Sequence, residues 1–248
     1  MAKVVGVLGA QGRMGSAMAA GIDAADDLTL GGCVDVGDAL DDLNGADVVL
    51  VFTAAGQAMD GLRWCASNGI HAVIGTTGFS DEEVDELSRL FGGDDGPNAA
   101  LIPNFAIGAV LLFRLSEMCA PHFDTVEVIE AHHDRKIDAP SGTAATTAKR
   151  VAAAREASGA GPWAPDPTTS VVAEGARGGD VAGIRVHAVR MRGMVASQEV
   201  IFGSEGQWLT LRHDTSSRDS FLPGVLLALR GVGDHPGLTL SLERFLGI

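Results

Sequence analysis

Residues 130–144 read Glu-Ala-His-His-Asp-Arg-Lys-Ile-Asp-Ala-Pro-Ser-Gly-Thr-Ala, with two histidines, an arginine and a lysine inside five residues. The chain has only three lysines, Lys3, Lys136 and Lys149, so a lysine at this place is conspicuous. An imidazole and an ammonium side by side offer one substrate two proton donors of different acidity. His132 and His133 would face opposite sides of a continuing strand. For both to serve one site the strand must stop there, and the polar run that follows favours a stop. Pro140 biases Ala139 toward extended backbone. Ser141, Gly142 and Thr143 then open a run of alanines and threonines with helical character. Unpaired N–H groups at a helix start, flanked by hydroxyls, bind a carboxylate; Ser141 and Thr143 also fit plain N-capping. The chemistry suggested is proton transfer to a small anionic substrate.

A second cluster lies near the start. Gly9, Gly12 and Gly15 separate an apolar run from a helical one, as Gly-Ala-Gln-Gly-Arg-Met-Gly. Early glycines permit a tight turn and close approach of backbone to a pyrophosphate, and a later one lets helix pack on strand. Asp35 closes the second apolar run twenty residues after Gly15, where an acid holds the adenosine ribose hydroxyls. Gly9, Ala10, Gln11, Gly12, Arg13, Met14 and Asp35 are therefore candidate cofactor contacts. Asp35 favours NADH by repelling a 2′-phosphate, while Arg13 in the turn leaves NADPH open. A nucleotide site, proton donors and an anion cradle together imply hydride transfer to a small carboxylated substrate.

These residues need a scaffold. Apolar runs at 3–9, 28–35, 46–53, 71–78 and 99–105 alternate with helical patterns at 13–25, 57–69 and 80–93, with Ser80 and Glu83 at capping-box spacing. Strands alternating with helices mean a parallel sheet covered on both faces, a doubly wound α/β sheet of Rossmann type. After residue 105 the pattern becomes α+β. One helix precedes four strand-like runs at 125–132, 183–191, 197–203 and 207–214, which predict a mixed four-stranded sheet. The segment 158–183, rich in glycine and proline, is too long for a tight turn and suits a mobile loop or an oligomer arm. A helical run at 216–232 returns to the first domain. The expected domains are 1–105 with 214–248 for the nucleotide, and 106–213 for substrate and oligomerisation.

Charge excludes some functions. The net charge of −14 argues against a general nucleic-acid partner. It is uneven: residues 106–213 hold eleven cationic and twelve acidic side chains, and the remainder seven and twenty. A nearly neutral middle inside an acidic chain suits an anionic ligand. No run of ~18 apolar residues suggests a membrane span, and the N-terminus lacks the pattern of a secretory signal. Cys33, Cys65 and Cys119 are odd in number, widely spaced and set in apolar stretches, so reduced core thiols in a cytoplasm are expected, with no disulfide and no metal site.

The stretch 130–144 also resembles the signature of the 4-hydroxy-tetrahydrodipicolinate reductase (dihydrodipicolinate reductase) family of lysine and diaminopimelate biosynthesis. The resemblance runs nearly end to end, through the glycine turn, Gly-Thr-Thr-Gly-Phe at 75–79, Pro-Asn-Phe-Ala-Ile-Gly at 103–108, Val-His-Ala-Val-Arg at 186–190, Gln-Glu-Val-Ile-Phe-Gly at 198–203 and Leu-Arg-His-Asp at 211–214. It implies His132 as the acid/base residue beside the substrate ring and Lys136 as proton donor. It implies His133, Ser141, Gly142 and Thr143 as ligands of the substrate carboxylates. Phe52, Thr53, Gly75, Thr76 and Thr77, continued by Ile102, Pro103, Asn104 and Phe105, would line the cofactor, NADH or NADPH. It further implies a homotetramer built through the second-domain sheets. Three positions depart from the pattern: Val51 stands where the family commonly has an acid, Gln11 where close relatives often have a basic residue, and Arg192 where an apolar residue or proline is expected. Other two-domain amino-acid-type dehydrogenases share the glycine turn but are not expected to share residues 132–144. A nucleotide-sensing regulator has no need of His132 with Lys136.

Overall fold

The computed structural model describes residues 2–93 and 96–248. In chain order the main elements are β1 (Lys3–Leu8), α1 (Arg13–Asp23), β2 (Leu28–Val34), β3 (Val48–Val51), α2 (Ala55–Ser67), β4 (His71–Ile74), α3 (Asp81–Leu90) and β5 (Ala99–Leu101). There follow α4 (Ile107–Cys119), β6 (Thr125–His132), α5 (Gly142–Ala157), β7 (Gly179–Val181), β8 (Ile184–Arg190), β9 (Ala196–Ser204) and β10 (Gln207–Thr215). The chain ends with α6 (Leu222–Gly231), β11 (Leu238–Thr239) and α7 (Glu243–Leu246). Two compact units emerge: residues up to Ile107 with Arg218–Ile248, and Gly108–Ser217. The division falls at 107 and 217 rather than 105 and 213, since α4 starts at Ile107 and β10 runs on to Thr215.

The first unit holds a six-stranded sheet in the order β11-β5-β4-β3-β1-β2, every neighbouring pair parallel. Its strands are apolar runs because both faces are covered: all four residues of β3 are fully buried. On one face Leu62 and Cys65 of α2 and Leu87 of α3 join Val49, Val51 and Ile74 in a single core. The expected capping box opens α3, with Glu83 N–H donating to Ser80 Oγ and Ser80 N–H to Glu83 Oε2. α6 packs with α1, and an added Cβ at Gly21 would lie 2.3 Å from Leu222 Cδ1. The sixth strand, β11, spans two residues, too few for periodicity to announce it. Strand order reverses at β1, flanked by β2 and β3. In open α/β sheets such a switch point makes a crevice at the C-terminal strand ends.

The second unit is built on a mixed sheet, β10-β9-β6-β8-β7, in which only β6 and β8 run parallel. Five strands replace the four expected. The extra one, β7, lies inside the segment expected to be a loop, where Gly179-Asp180-Val181 doubles back on β8 through Ala182 and Gly183. Along β6 the inward residues are Val126, Val128 and Glu130, and Ala144, Ala148 and Val151 of α5 pack on the same core.

The remainder of 158–183 is irregular but anchored. Arg155, 9% exposed, donates to the carbonyls of Gly161 (2.6 Å), Pro162 (3.3 Å), Ala120 (2.9 Å) and Phe123 (2.6 Å). Its guanidinium lies 3.9 Å from the Trp163 ring centroid. Arg177 reaches Glu127 and Asp166. Removing Arg155 strands the buried Ala120 carbonyl and frees three part-buried ones, so Arg155→Ala should cost about 2–4 kcal/mol, the order expected for charged hydrogen bonds plus a cation–π contact. It should also open 160–178 to limited proteolysis; unchanged urea midpoint and cleavage pattern would refute this anchoring.

Candidate functional site

The second unit's site grows from the end of β6. Glu130 is 1% exposed, and its carboxylate meets four nitrogens. Oε2 lies 2.6 Å from His132 Nδ1 and accepts from Arg190 Nη1 at 2.9 Å. Oε1 accepts from Arg190 Nη2 at 2.8 Å and from the Ser141 N–H at 3.0 Å. Parallel pairing sets this up: His132 lies level with Arg190 on β8, so the guanidinium reaches two residues back along β6. Burial would raise the Glu130 pKa, but bonds from Arg190, His132 and the Ser141 amide outweigh it and hold the carboxyl below its usual range.

β6 stops at His132, as bringing both histidines to one site requires. A turn follows, closed by the Lys136 N–H donating to the His133 carbonyl at 3.1 Å. Lys136 Nζ pairs with Asp138 Oδ1 at 2.9 Å, and that bond holds the Asp138 carboxyl low. Arg190 also donates to the Asp138 carbonyl, at 2.6 Å. His133 is half-buried, and its Nδ1 is buried with no partner among the described residues. Past the cis Ala139–Pro140 peptide, Ser141 caps α5: its Oγ accepts from the Ala144 N–H at 3.2 Å. Ser141 is 2% exposed with both its hydroxyl and its amide engaged, so N-capping is its visible role. The first N–H groups of α5, on Gly142 and Thr143, are those helix geometry leaves over, and Gly142 is exposed.

The first unit gathers its candidates at the C-terminal strand ends. After β1, Gly9 takes φ +90°, and an added Cβ would sit 2.2 Å from the Phe52 carbonyl oxygen. A Cβ on Gly15 would lie 2.0 Å from the Gly9 oxygen. The Gly9 and Ala10 N–H groups donate to Val34 O, which holds the turn against β2. Gln11, Gly12 and Arg13 are exposed and Met14 is half-buried. α1 starts at Arg13 behind Gly12 at its N-cap, with no side-chain cap and no acid in its first turn, leaving its N–H groups for an anion. Asp35 follows β2; its Oδ2 accepts from the Gln11 N–H at 2.8 Å and its Oδ1 from the Val36 N–H at 3.0 Å. The uncapped helix start and the acid tied to the turn fit a dinucleotide.

After β3 and β4 the Thr53 N–H donates to Thr76 Oγ1 at 3.0 Å. Phe52 and Phe105 rings stand 5.9 Å apart. Thr76, the exposed Thr77 and Pro103 line a cavity of about 180 Å³. Ile102 and Phe105 are buried in the core, and Asn104 Oδ1 accepts from the Ala106 N–H, so these three shape the wall after β5. Sequence reasoning passed over Glu130 and Arg190; the only signal was their presence in the quoted runs 130–144 and 186–190. Among the described residues no cluster of three or more His, Cys, Asp or Glu could hold a metal.

Two outcomes follow. A Cβ on Gly75 would stand 2.0 Å from Phe52 Cε1. Gly75→Ala should therefore displace that ring, destabilise by about 1–3 kcal/mol and weaken NADH binding in a fluorescence titration. Unchanged affinity would remove Phe52 from the cofactor wall. Because the folded pKa of Glu130 is depressed, its contribution to stability is complete above the usual value of 4.5 and is lost as pH falls through the folded value. Urea midpoints measured from pH 6 to 3 should fall less steeply in Glu130→Gln than in the parent chain.

The comparisons agree with this geometry. Residues 3–105 match the family model described as dihydrodipicolinate reductase, N-terminus, and residues 108–246 the model described as its C-terminus. A 4-hydroxy-tetrahydrodipicolinate reductase of Mycolicibacterium vanbaalenii is 50% identical over 246 residues, covering 98% of this chain and 99% of the relative. One from Corynebacterium diphtheriae is 52% identical with both chains fully covered. The dipicolinate-bound dihydrodipicolinate reductase of Paenisporosarcina sp. TG-14 superposes with a TM-score of 0.86 at 34% identity, covering 98% of this chain and 99% of that one. A probable dehydrogenase of Thermotoga maritima, at 12% identity and TM-score 0.60, shares the fold alone. This chain belongs to the dihydrodipicolinate reductase family, the NAD(P)H-dependent oxidoreductases that reduce 4-hydroxy-tetrahydrodipicolinate in lysine biosynthesis.

Proposed function

We propose that the chain reduces 4-hydroxy-tetrahydrodipicolinate to tetrahydrodipicolinate with His132 and Lys136 as its proton-handling pair. The observation that carries this reading is the Glu130 carboxylate joining His132 to the amide that opens α5. The acid/base imidazole and the anion cradle are thereby held by one buried group. Gly142 and Thr143 present their N–H groups to a substrate carboxylate, and the half-buried His133 supplies a further polar contact. Ser141 shapes the helix start. When bound, the reduced nicotinamide supplies the hydride that adds to C4 of the conjugated cyclic imine left once the 4-hydroxyl departs as water. Lys136 gives the one proton that balances the addition, and His132 exchanges protons beside the ring.

In the nucleotide unit, Gly9, Ala10, Gln11, Gly12, Arg13 and Met14 hold the pyrophosphate, and Asp35 the ribose. Phe52, Thr53, Gly75, Thr76, Thr77 and residues 102–105 form the wall near the nicotinamide. Asp35 accepts from two backbone N–H groups, and its negative charge beside the turn favours NADH over the 2′-phosphorylated cofactor. The enzyme works as a cytoplasmic homotetramer, like the resemblance on which this reading draws. One sheet face offers it Trp208, 78% exposed, beside Thr210 and Arg212 on β10.

Consumption of NADH should be seen on adding the condensation product of pyruvate and aspartate semialdehyde. Lys136→Ala should lower kcat by about 10²–10⁴-fold, the usual worth of a placed proton donor, with NADH affinity unchanged. Undiminished turnover would remove Lys136 from its role. Asp35→Asn should narrow the NADH/NADPH ratio of kcat/KM by about tenfold, an effect of ~1.4 kcal/mol; an unmoved ratio would shift cofactor choice to Arg13.

A further inference from the structure

We infer that Glu130 is a positioning residue that fixes the tautomer of His132, with Arg190 keeping it ionised. Three of the four groups meeting the Glu130 oxygens can only donate, two guanidinium nitrogens and the Ser141 backbone N–H, and the fourth is His132 Nδ1. An ionised carboxylate is acceptor-only and satisfies all of them. At 2.6 Å from an acceptor-only oxygen, Nδ1 must carry the proton. In the neutral ring that leaves Nε2 with its lone pair, and in the charged ring both nitrogens donate, so Nε2 is the nitrogen that exchanges a proton with the substrate.

The surroundings hold this arrangement from every side. On β6 itself His132 faces the carboxylate, from β8 Arg190, and from the start of α5 the Ser141 amide. On β9 the residue paired with Glu130 is Gln198, buried and turned to Thr147 of α5, whose Oγ1 accepts from Gln198 Nε2 at 2.6 Å. The Asp138 carbonyl takes a second hydrogen from Arg190. With all of these in place each carboxylate oxygen has two partners, and the imidazole is held by one of them. A glutamine at 130 cannot reproduce this. Its single oxygen satisfies either the His132 side or the Ser141 side, and its NH₂ then confronts donors on the other.

The proposal rests on the assignment of His132 as the acid/base group, and its test separates the two. Two-bond ¹H–¹⁵N correlation spectra of the ¹⁵N-histidine-labelled full chain report which ring nitrogen of His132 is protonated, with the signal assigned by His132→Gln. In the parent chain the neutral ring should carry its proton on Nδ1; a ring protonated on Nε2 overturns the proposal without any variant having to fold. In Glu130→Gln the Nδ1–H form should lose its dominance and kcat should fall about 10–100-fold, as for removal of a supporting partner behind a functional imidazole. NADH affinity should not change, and Glu130→Asp should recover part of kcat. A fall in kcat with the tautomer unmoved would mean that Glu130 only supports the fold, and an undiminished kcat would mean that it positions nothing that matters; either outcome sinks the proposal. Should His132→Gln leave turnover intact, the acid/base assignment fails while the measured tautomer stands.

Discussion

A carboxylate 1% exposed and touching four nitrogens is the constraint on which the second unit depends. A buried charge is tolerated only when paired and hydrogen-bonded, and removing one partner leaves an uncompensated charge behind. Glu130 has its counter-charge in Arg190, bidentate and drawn from the parallel neighbour strand, with the α5 start supplying a third hydrogen bond. Sheet register, helix start and imidazole orientation are thus one arrangement rather than three. Each residue that meets Glu130 has a second tie: Arg190 to the Asp138 carbonyl, Ser141 to the Ala144 amide, His132 through its carbonyl to Met191 N–H.

The nucleotide unit solves its problem with backbone rather than side chains. Gly9, Gly15 and Gly75 each stand where a Cβ would lie within 2.2 Å of another atom, so the exits of β1, β3 and β4 approach more closely than any side chain permits. That closeness brings an uncapped helix start beside Asp35. Two of the departures from the family pattern have local explanations. Val51 ends a strand whose residues are all fully buried, where an acid would need a partner. Arg192, with its side chain 93% exposed, pairs with Asp134 at 2.9 Å and ties the turn after β8 to the turn after β6. The cysteines correct the expectation of three core thiols. Cys65 is buried, and burial pushes its thiol up to about 12, whereas Cys119 is half-buried and Cys33 is exposed on the edge strand β2.

Much of the fold could be read from the chain because local patterns carry it. Fully buried parallel strands are continuous apolar runs, the capping box at Ser80 has a fixed spacing, and the glycine turn sits between a strand and a helix. Residues 130–144 likewise announced the family by their order. The strands β7 and β11 stayed hidden because two or three residues define no period, and their strand character comes from the neighbour they pair with.

Tertiary structure decided the rest, for a physical reason. Glu130 reads as one more acid in an acidic chain until burial makes its ionisation costly and Arg190, sixty residues away, makes it tolerable. Ser141 offers the same hydroxyl to a ligand or to its own helix, and only folded geometry shows its oxygen accepting from the Ala144 amide. Sequence determined which groups were present and which elements would carry them. Which hydrogen bonds each group had left to give was set by pairing between distant strands, because the energy of a polar group depends on what surrounds it after the water is gone.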